Sequence, residues 1–194
     1  MRSTSLIAAM SLGLALAACG KKESTTVTTN DSSMTTDANM SSSDMNGVGT
    51  AAAMPAQGFT DTVAGSDMFE IQSGKLAETM GSTAAIKSFG KMLVADHMKS
   101  SEMLKAAAKK TSPVVALPMI LPADLKAKVD ALKATKGAAF DTLFVEQQTA
   151  GHKAALDALK AYSAGGDQAS LKEFATSVIP VVEGHLTKLE AMPK

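Results

Sequence analysis

Ser82-Thr83-Ala84-Ala85-Ile86-Lys87-Ser88-Phe89-Gly90-Lys91-Met92-Leu93-Val94-Ala95-Asp96-His97 is the stretch that decides the fold. Ile86, Phe89 and Leu93 recur three or four residues apart, and Leu104 and Ala107 continue the same stripe, the spacing of one helix face. Ser82 suits the N-cap, and the helix is expected to run to about Thr111. The helical period begins at Phe59 and persists to the end of the chain, while no alternating run of β-branched and aromatic residues survives more than a few positions. The expectation is an all-α fold.

Working outward, a first helix is expected over residues 60–80, with Thr60 or Asp61 as N-cap and Gly81 as its stop. Its inward residues are Val63, Phe69, Leu76, Ala77 and Met80. Pro113, Pro118 and Pro122 forbid a continuous helix and mark a crossover. A short helix over 123–135 carries Leu125, Val129 and Leu132 at helical spacing. A third main helix, 137–164, presents Phe140, Leu143, Phe144, Leu156 and Leu159. Gly165-Gly166 closes it, and Asp167 suits the cap of the fourth. That helix carries Leu171, Phe174, Val178, Val181, Leu189 and Met192, and Pro180 inside it should kink it. Four amphipathic helices with a long middle connection predict an up-down four-helix bundle with a short extra helix in the crossover. Residues 59–194 are an ordinary length for one core.

The N-terminus reads as an address. Arg2, the apolar run 6–18 and small residues before Cys19 have the layout of a secretory signal, too short to remain as a spanning helix. Leu16-Ala17-Ala18-Cys19 resembles the lipobox of bacterial lipoproteins, which implies cleavage after a signal peptide of residues 1–18 and lipids on Cys19. Gly20, where Asp would mark inner-membrane retention, implies the outer membrane, facing the periplasm. Cys19 is the one cysteine, so no intrachain disulfide, cysteine-based metal site or cysteine nucleophile is available. Residues 20–58 hold no Leu, Ile, Phe or Tyr and cannot bury enough to offset the entropy of ordering, so 19–58 reads as a disordered, lipidated linker. Met34, Met40, Met45 and Met54 are soft ligands for Cu(I), but their irregular spacing favours a solvated linker.

Lysines plus arginines balance aspartates plus glutamates at 19 each, and there is no Trp and one Tyr. Such a chain has no basic field and almost no stacking platform for nucleic acid. No nucleophile elbow exists, since Ala161 stands where its first glycine belongs, and Gly74-Lys75 lacks the rest of a phosphate loop.

The ligand-type residues are more informative. His97, His152 and His185 are the chain's 3 histidines, each on a different expected helix. His97 follows Leu93 by one turn; His152 is one heptad from Val145 and Leu159; His185 is one heptad from Val178 and Met192. Glu70 is one heptad from Val63 and Ala77. All four therefore fall on inward stripes. Three imidazoles and a carboxylate in a bundle core suit a divalent transition metal, Zn, Fe, Mn or Cu. Asp96, Asp141 and Gln148, near the same stripes, are candidates to orient the rings. The alternative is that the histidines are hydrogen-bonded core residues. Two features oppose a complete site. Val94 and Val182 stand where di-iron bundles carry the Glu of Glu-x-x-His. At ~1.5 Å per residue, Glu70 and His97 lie about 16 and 23 Å from their turn, and His152 and His185 about 19 and 30 Å from theirs, so a subset is expected to meet rather than all four.

Phe69-Glu70-Ile71, Gly74-Lys75-Leu76-Ala77, Phe89 through Asp96-His97, Phe140-Asp141, His152, Leu171-Lys172-Glu173-Phe174-Ala175 and Ile179-Pro180 through His185-Leu186 together resemble the bacterial family called domain of unknown function 4142. The resemblance spans 59–192, with signal and linker outside it. It implies a ferritin-like four-helix fold in an exported or lipid-anchored protein, and it matches Glu70, Asp96-His97, His152 and His185 to the family's recurrent residues without supplying an activity. The functional expectation is a lipid-anchored envelope domain of binding or stress-protective type that holds a metal. Competing readings are a structural or interaction module with core histidines, and a metal-dependent oxidoreductase. Whether the chain is an enzyme, and its oligomeric state, stay open. Cys19→Ser should abolish lipid attachment, and mass spectrometry of the mature chain checks it: an unmodified wild-type Cys19 would refute the anchor.

Overall fold

The computed structural model describes residues 54–192; the signal segment, Cys19, Met34, Met40, Met45 and almost all of the 19–58 stretch lie outside the described residues. Within them the chain is all-helical: α1 (Ala56–Met80), α2 (Ala84–Ala108), α3 (Ala123–Ala134), α4 (Ala138–Gly165) and α5 (Ala169–Glu190). α1 packs along α2 and α4 along α5; α1 also meets α4, α2 meets α5, and α3 leans on α1 and α4. None of these helices is long and apolar enough to cross a membrane.

The helix ends differ from expectation in instructive ways. α1 begins at Ala56, before residue 60, with Phe59 N–H bonded to the Pro55 carbonyl at 3.0 Å. The Phe59 ring stacks on Tyr162 at 3.9 Å between centroids, so tertiary packing holds the extra turn. Thr60 is accordingly buried inside the helix rather than capping it. α2 is capped by Thr83, whose Oγ1 accepts from Ile86 N–H at 3.2 Å. Ser82 turns instead to α4 and donates its N–H and its hydroxyl to the Asp141 carboxylate at 2.9 and 2.6 Å. Gln168, not Asp167, stands at the N-cap of α5, because Asp167 accepts the Tyr162 hydroxyl at 2.7 Å. On α5 Val182 is buried and Val181 is exposed, the reverse of the expected stripe, and the helix continues through Pro180.

The core is layered. At one end Phe59, Leu104, Leu159, Tyr162, Leu171 and Phe174 form an apolar cluster. At the other Ile86, Phe89, Leu93, Phe140, Phe144 and Leu189 form a second. Every long helix passes from one cluster to the other through buried polar residues: Asp67, Glu70 and Ser73 on α1, His97 and Ser100 on α2, Gln148 and His152 on α4, His185 on α5.

α1 and α2 approach closely where Gly74 faces Gly90. A Cβ on Gly90 would lie 2.6 Å from the Gly74 carbonyl oxygen and 2.7 Å from Ala77 Cβ, whereas one on Gly184 would meet nothing within 4 Å. Gly90→Ala should therefore destabilise the fold by about 1–3 kcal/mol of overpacking strain, partly offset by helix propensity. Gly184→Ala should stabilise it by up to about 1 kcal/mol. Urea unfolding of the two variants checks the opposite signs.

Candidate metal centre

The polar layer brings three imidazoles together. Ring centroids are 5.7 Å apart for His97–His152, 5.6 Å for His97–His185 and 5.2 Å for His152–His185. All three are buried, and one ring nitrogen from each lies within 4.8 Å of the other two, close enough to hold a metal ion.

The outer nitrogens decide what the inner ones can do. His97 Nδ1 faces Asp67 Oδ1 at 2.8 Å, His152 Nδ1 faces the Gln148 carbonyl at 2.9 Å, and His185 Nε2 faces Asp96 Oδ2 at 3.0 Å. A carbonyl and two carboxylates accept hydrogen bonds only, so in each ring the outer nitrogen carries the hydrogen and donates it. Each neutral ring is left with one inward lone pair: Nε2 of His97, Nε2 of His152 and Nδ1 of His185. His97 Nε2 is buried without a partner, and the other two face each other at 3.1 Å. A tetrahedral ion with bonds of about 2.0–2.1 Å would hold its nitrogens about 3.3 Å apart. Ligating histidines that donate their second N–H to a carboxylate or carbonyl are the usual outer arrangement of such sites.

A family model described as Domain of unknown function (DUF4142) matches residues 32–192. The chain belongs to this family. The DUF4142 match begins at residue 32, earlier than the 59–192 over which the resemblance was read. No curated protein and no solved structure matches the chain.

In this DUF4142 chain the residues singled out from sequence divide into three groups. His97, His152 and His185 converge, although counting residues from the turns placed them at different depths. Asp96 and Gln148 stand behind the rings, Asp96 on His185 rather than on neighbouring His97, and Gln148 through its backbone carbonyl; its side-chain amide donates to Ser73 Oγ at 3.0 Å. Glu70 and Asp141 do not take the places expected of them. Glu70 is buried beside the trio, but its Oε1 comes only to 3.8 Å from His152 Nδ1 and its carboxylate is not among the converging atoms. The α1 residue opposite His97 is Asp67, almost one turn away. Asp141 is held by Ser82 at the α1–α2 turn. Asp67 itself escapes the heptad test because its heptad neighbours, Thr60 and Gly74, are not apolar. Its signal is the Gly74–Gly90 approach, which sets Asp67 level with His97.

The charges follow from burial and partners. Burial lowers His97, but the Asp67 hydrogen bond and the Glu70 charge outweigh it, so its pKa is raised. Burial and the neighbouring His97 and His185 charges push His152 down to about 3. Burial lowers His185 against the opposing Asp96 bond. Burial pushes Glu70 up to about 7, against the His97 charge. In the metal-free chain, NMR of the rings should find His97 protonated at pH 6.5 and His152 neutral down to about pH 3. The depressed His152 gives stability that is present above its ordinary value of 6.5 and is lost as pH falls towards 3. The raised Glu70 acts oppositely, its contribution being complete below 4.5 and lost as pH rises through about 7. His152 and Glu70 offset each other between 4.5 and 6.5, which leaves the depressed His185 to lower stability in that window, and thermal melts should show a further loss below pH 4.5, where His152 acts unopposed by Glu70.

Proposed function

We propose that this chain is a metal-holding domain of the bacterial cell envelope, tethered by lipid at Cys19, with His97, His152 and His185 as the ligands of one ion. The observation that carries the reading is the set of three hydrogen-bond acceptors, Asp67, the Gln148 carbonyl and Asp96, which turn three imidazole lone pairs toward one point. Without a cation or an extra proton there, lone pairs would oppose each other in a buried space, which low dielectric makes costly.

Three neutral nitrogens suit Zn²⁺ or Cu²⁺ better than Mn²⁺, which prefers carboxylates. Three protein ligands also leave a tetrahedral ion one open position. The helix pairings support an up-down bundle of ferritin-like type with α3 in its middle crossover. The carboxylate-rich ligand set of di-iron members of that class is missing, which favours binding or protection over oxidation chemistry.

The test uses the full chain purified without a histidine tag and stripped with chelator. Elemental analysis and thermal melts with Zn²⁺, Cu²⁺, Fe²⁺ and Mn²⁺ follow. A ligand of the folded state at 100 times its dissociation constant adds about 2.7 kcal/mol. That gain is expected with Zn²⁺ or Cu²⁺, should disappear in His97→Ala, His152→Ala and His185→Ala, and should weaken below about pH 6 as imidazole protonates. No gain with any metal, or one that survives all three substitutions, would refute the assignment.

A further inference from the structure

A cleft of about 400 Å³ opens between α1, α3 and α4 and descends to the polar layer. Its cause is in the sequence. α4 turns Ala150, Gly151, Ala154, Ala155 and Ala158 into it, and these side chains are too short to fill the space. Phe69, Leu159, Val178 and Val182 supply the deeper apolar wall. Thr62, Asp124 and Lys128 stand exposed around the rim.

Three buried polar side chains that line the cleft are not satisfied: His97, whose free Nε2 belongs to the ring cluster, and, outside that cluster, Glu70 and Ser100. Glu70 is 1% exposed and Ser100 6% exposed, and Glu70 Oε2 and Ser100 Oγ have no hydrogen-bond partner. Buried polar atoms are nearly always paired, so two orphans at the end of one apolar cleft call for a ligand. Water at that end would satisfy the oxygens but leave the apolar walls without matching contacts. The volume falls in the range of small-molecule sites, which combine apolar walls with a few placed polar groups.

We propose that the cleft binds a small hydroxyl-bearing amphipathic molecule, of phenol or alcohol type, with its hydroxyl between Glu70 and Ser100 and its apolar body along the α4 alanines. A hydroxyl both donates and accepts, which fits an acceptor oxygen on Glu70 beside a serine hydroxyl that can donate. An anionic head is excluded by Glu70 and the neighbouring Asp67, which also lines the cleft. The site needs no metal, and it stands whether or not the histidines hold one.

The experiment titrates the full chain with 4-ethylphenol and with its methyl ether, 4-ethylanisole, by calorimetry and amide NMR. Both titrations are run after chelator treatment and again with Zn²⁺ added. Saturable one-site binding of 4-ethylphenol is expected under both conditions, with shifts confined to the segments that line the cleft, residues 61–70, 97–100, 122–128, 150–159 and 178–182. The ether should bind about tenfold more weakly, the equivalent of one lost hydrogen bond. Ser100→Ala should weaken the phenol by a similar factor and leave the ether unchanged. Ala154 is exposed, so Ala154→Phe should leave the melting temperature unchanged while blocking the phenol. Absence of saturable binding, equal affinity for phenol and ether, or indifference to Ala154→Phe would overturn the proposal. Binding that appears only with Zn²⁺ would move the ligand to the ion and overturn it too.

Discussion

Three imidazoles whose outer nitrogens are held by acceptors impose the constraint on which the rest depends. Because Asp67, Asp96 and the Gln148 carbonyl can only accept, the inner nitrogen of each neutral ring can present only a lone pair. The core around them is divided accordingly: apolar side chains gather above and below, and the middle of each long helix is given to polar groups. A wholly apolar middle would be the simpler way to stabilise such a fold, since buried polar groups at best recover what desolvation takes. A layer that costs stability and is built in detail supports the metal-holding reading proposed above.

Much of this was legible in the chain. Period 3.6 stripes gave five helices and an inward place for each histidine, because long apolar periodicity is a strong local signal. Cap identities were not legible. Ser82 and Asp167 are good caps by type, but each found a tertiary partner, Asp141 and Tyr162, that sequence does not reveal. Depth was misjudged for a geometric reason. Counting from the turns ignores that helical side chains lean toward their own N-terminus. In an antiparallel pair that lean carries His152 away from the α4–α5 turn and His185 toward it, and the turn residues themselves add no rise. Both corrections shrink the mismatch, and the rings meet at 3.1 Å.

Glu70 and Asp67 were mistaken for another reason. Heptad reasoning picked Glu70, whose neighbours along its stripe are apolar, and passed over Asp67, flanked by Thr60 and Gly74. Buried small and polar residues are invisible to a test that looks for hydrophobes, yet they define this layer. Glu70 is thereby released from the ring cluster to face the cleft, where its second oxygen has no partner.

The Gly74–Gly90 contact has a consequence for competing packings. Alanine-rich helices have shallow ridges, and two such surfaces can slide past each other at little energetic penalty. Here a slip of α1 by one turn along α2 would bring a Cβ-bearing residue against a carbonyl that now lies 2.6 to 2.8 Å from the place such a carbon would occupy. The same slip would part Asp67 from His97 and strand a buried carboxylate. A steric penalty at the glycine pair and an electrostatic penalty at Asp67 and His97 fall on one displacement, so misaligned states are penalised twice.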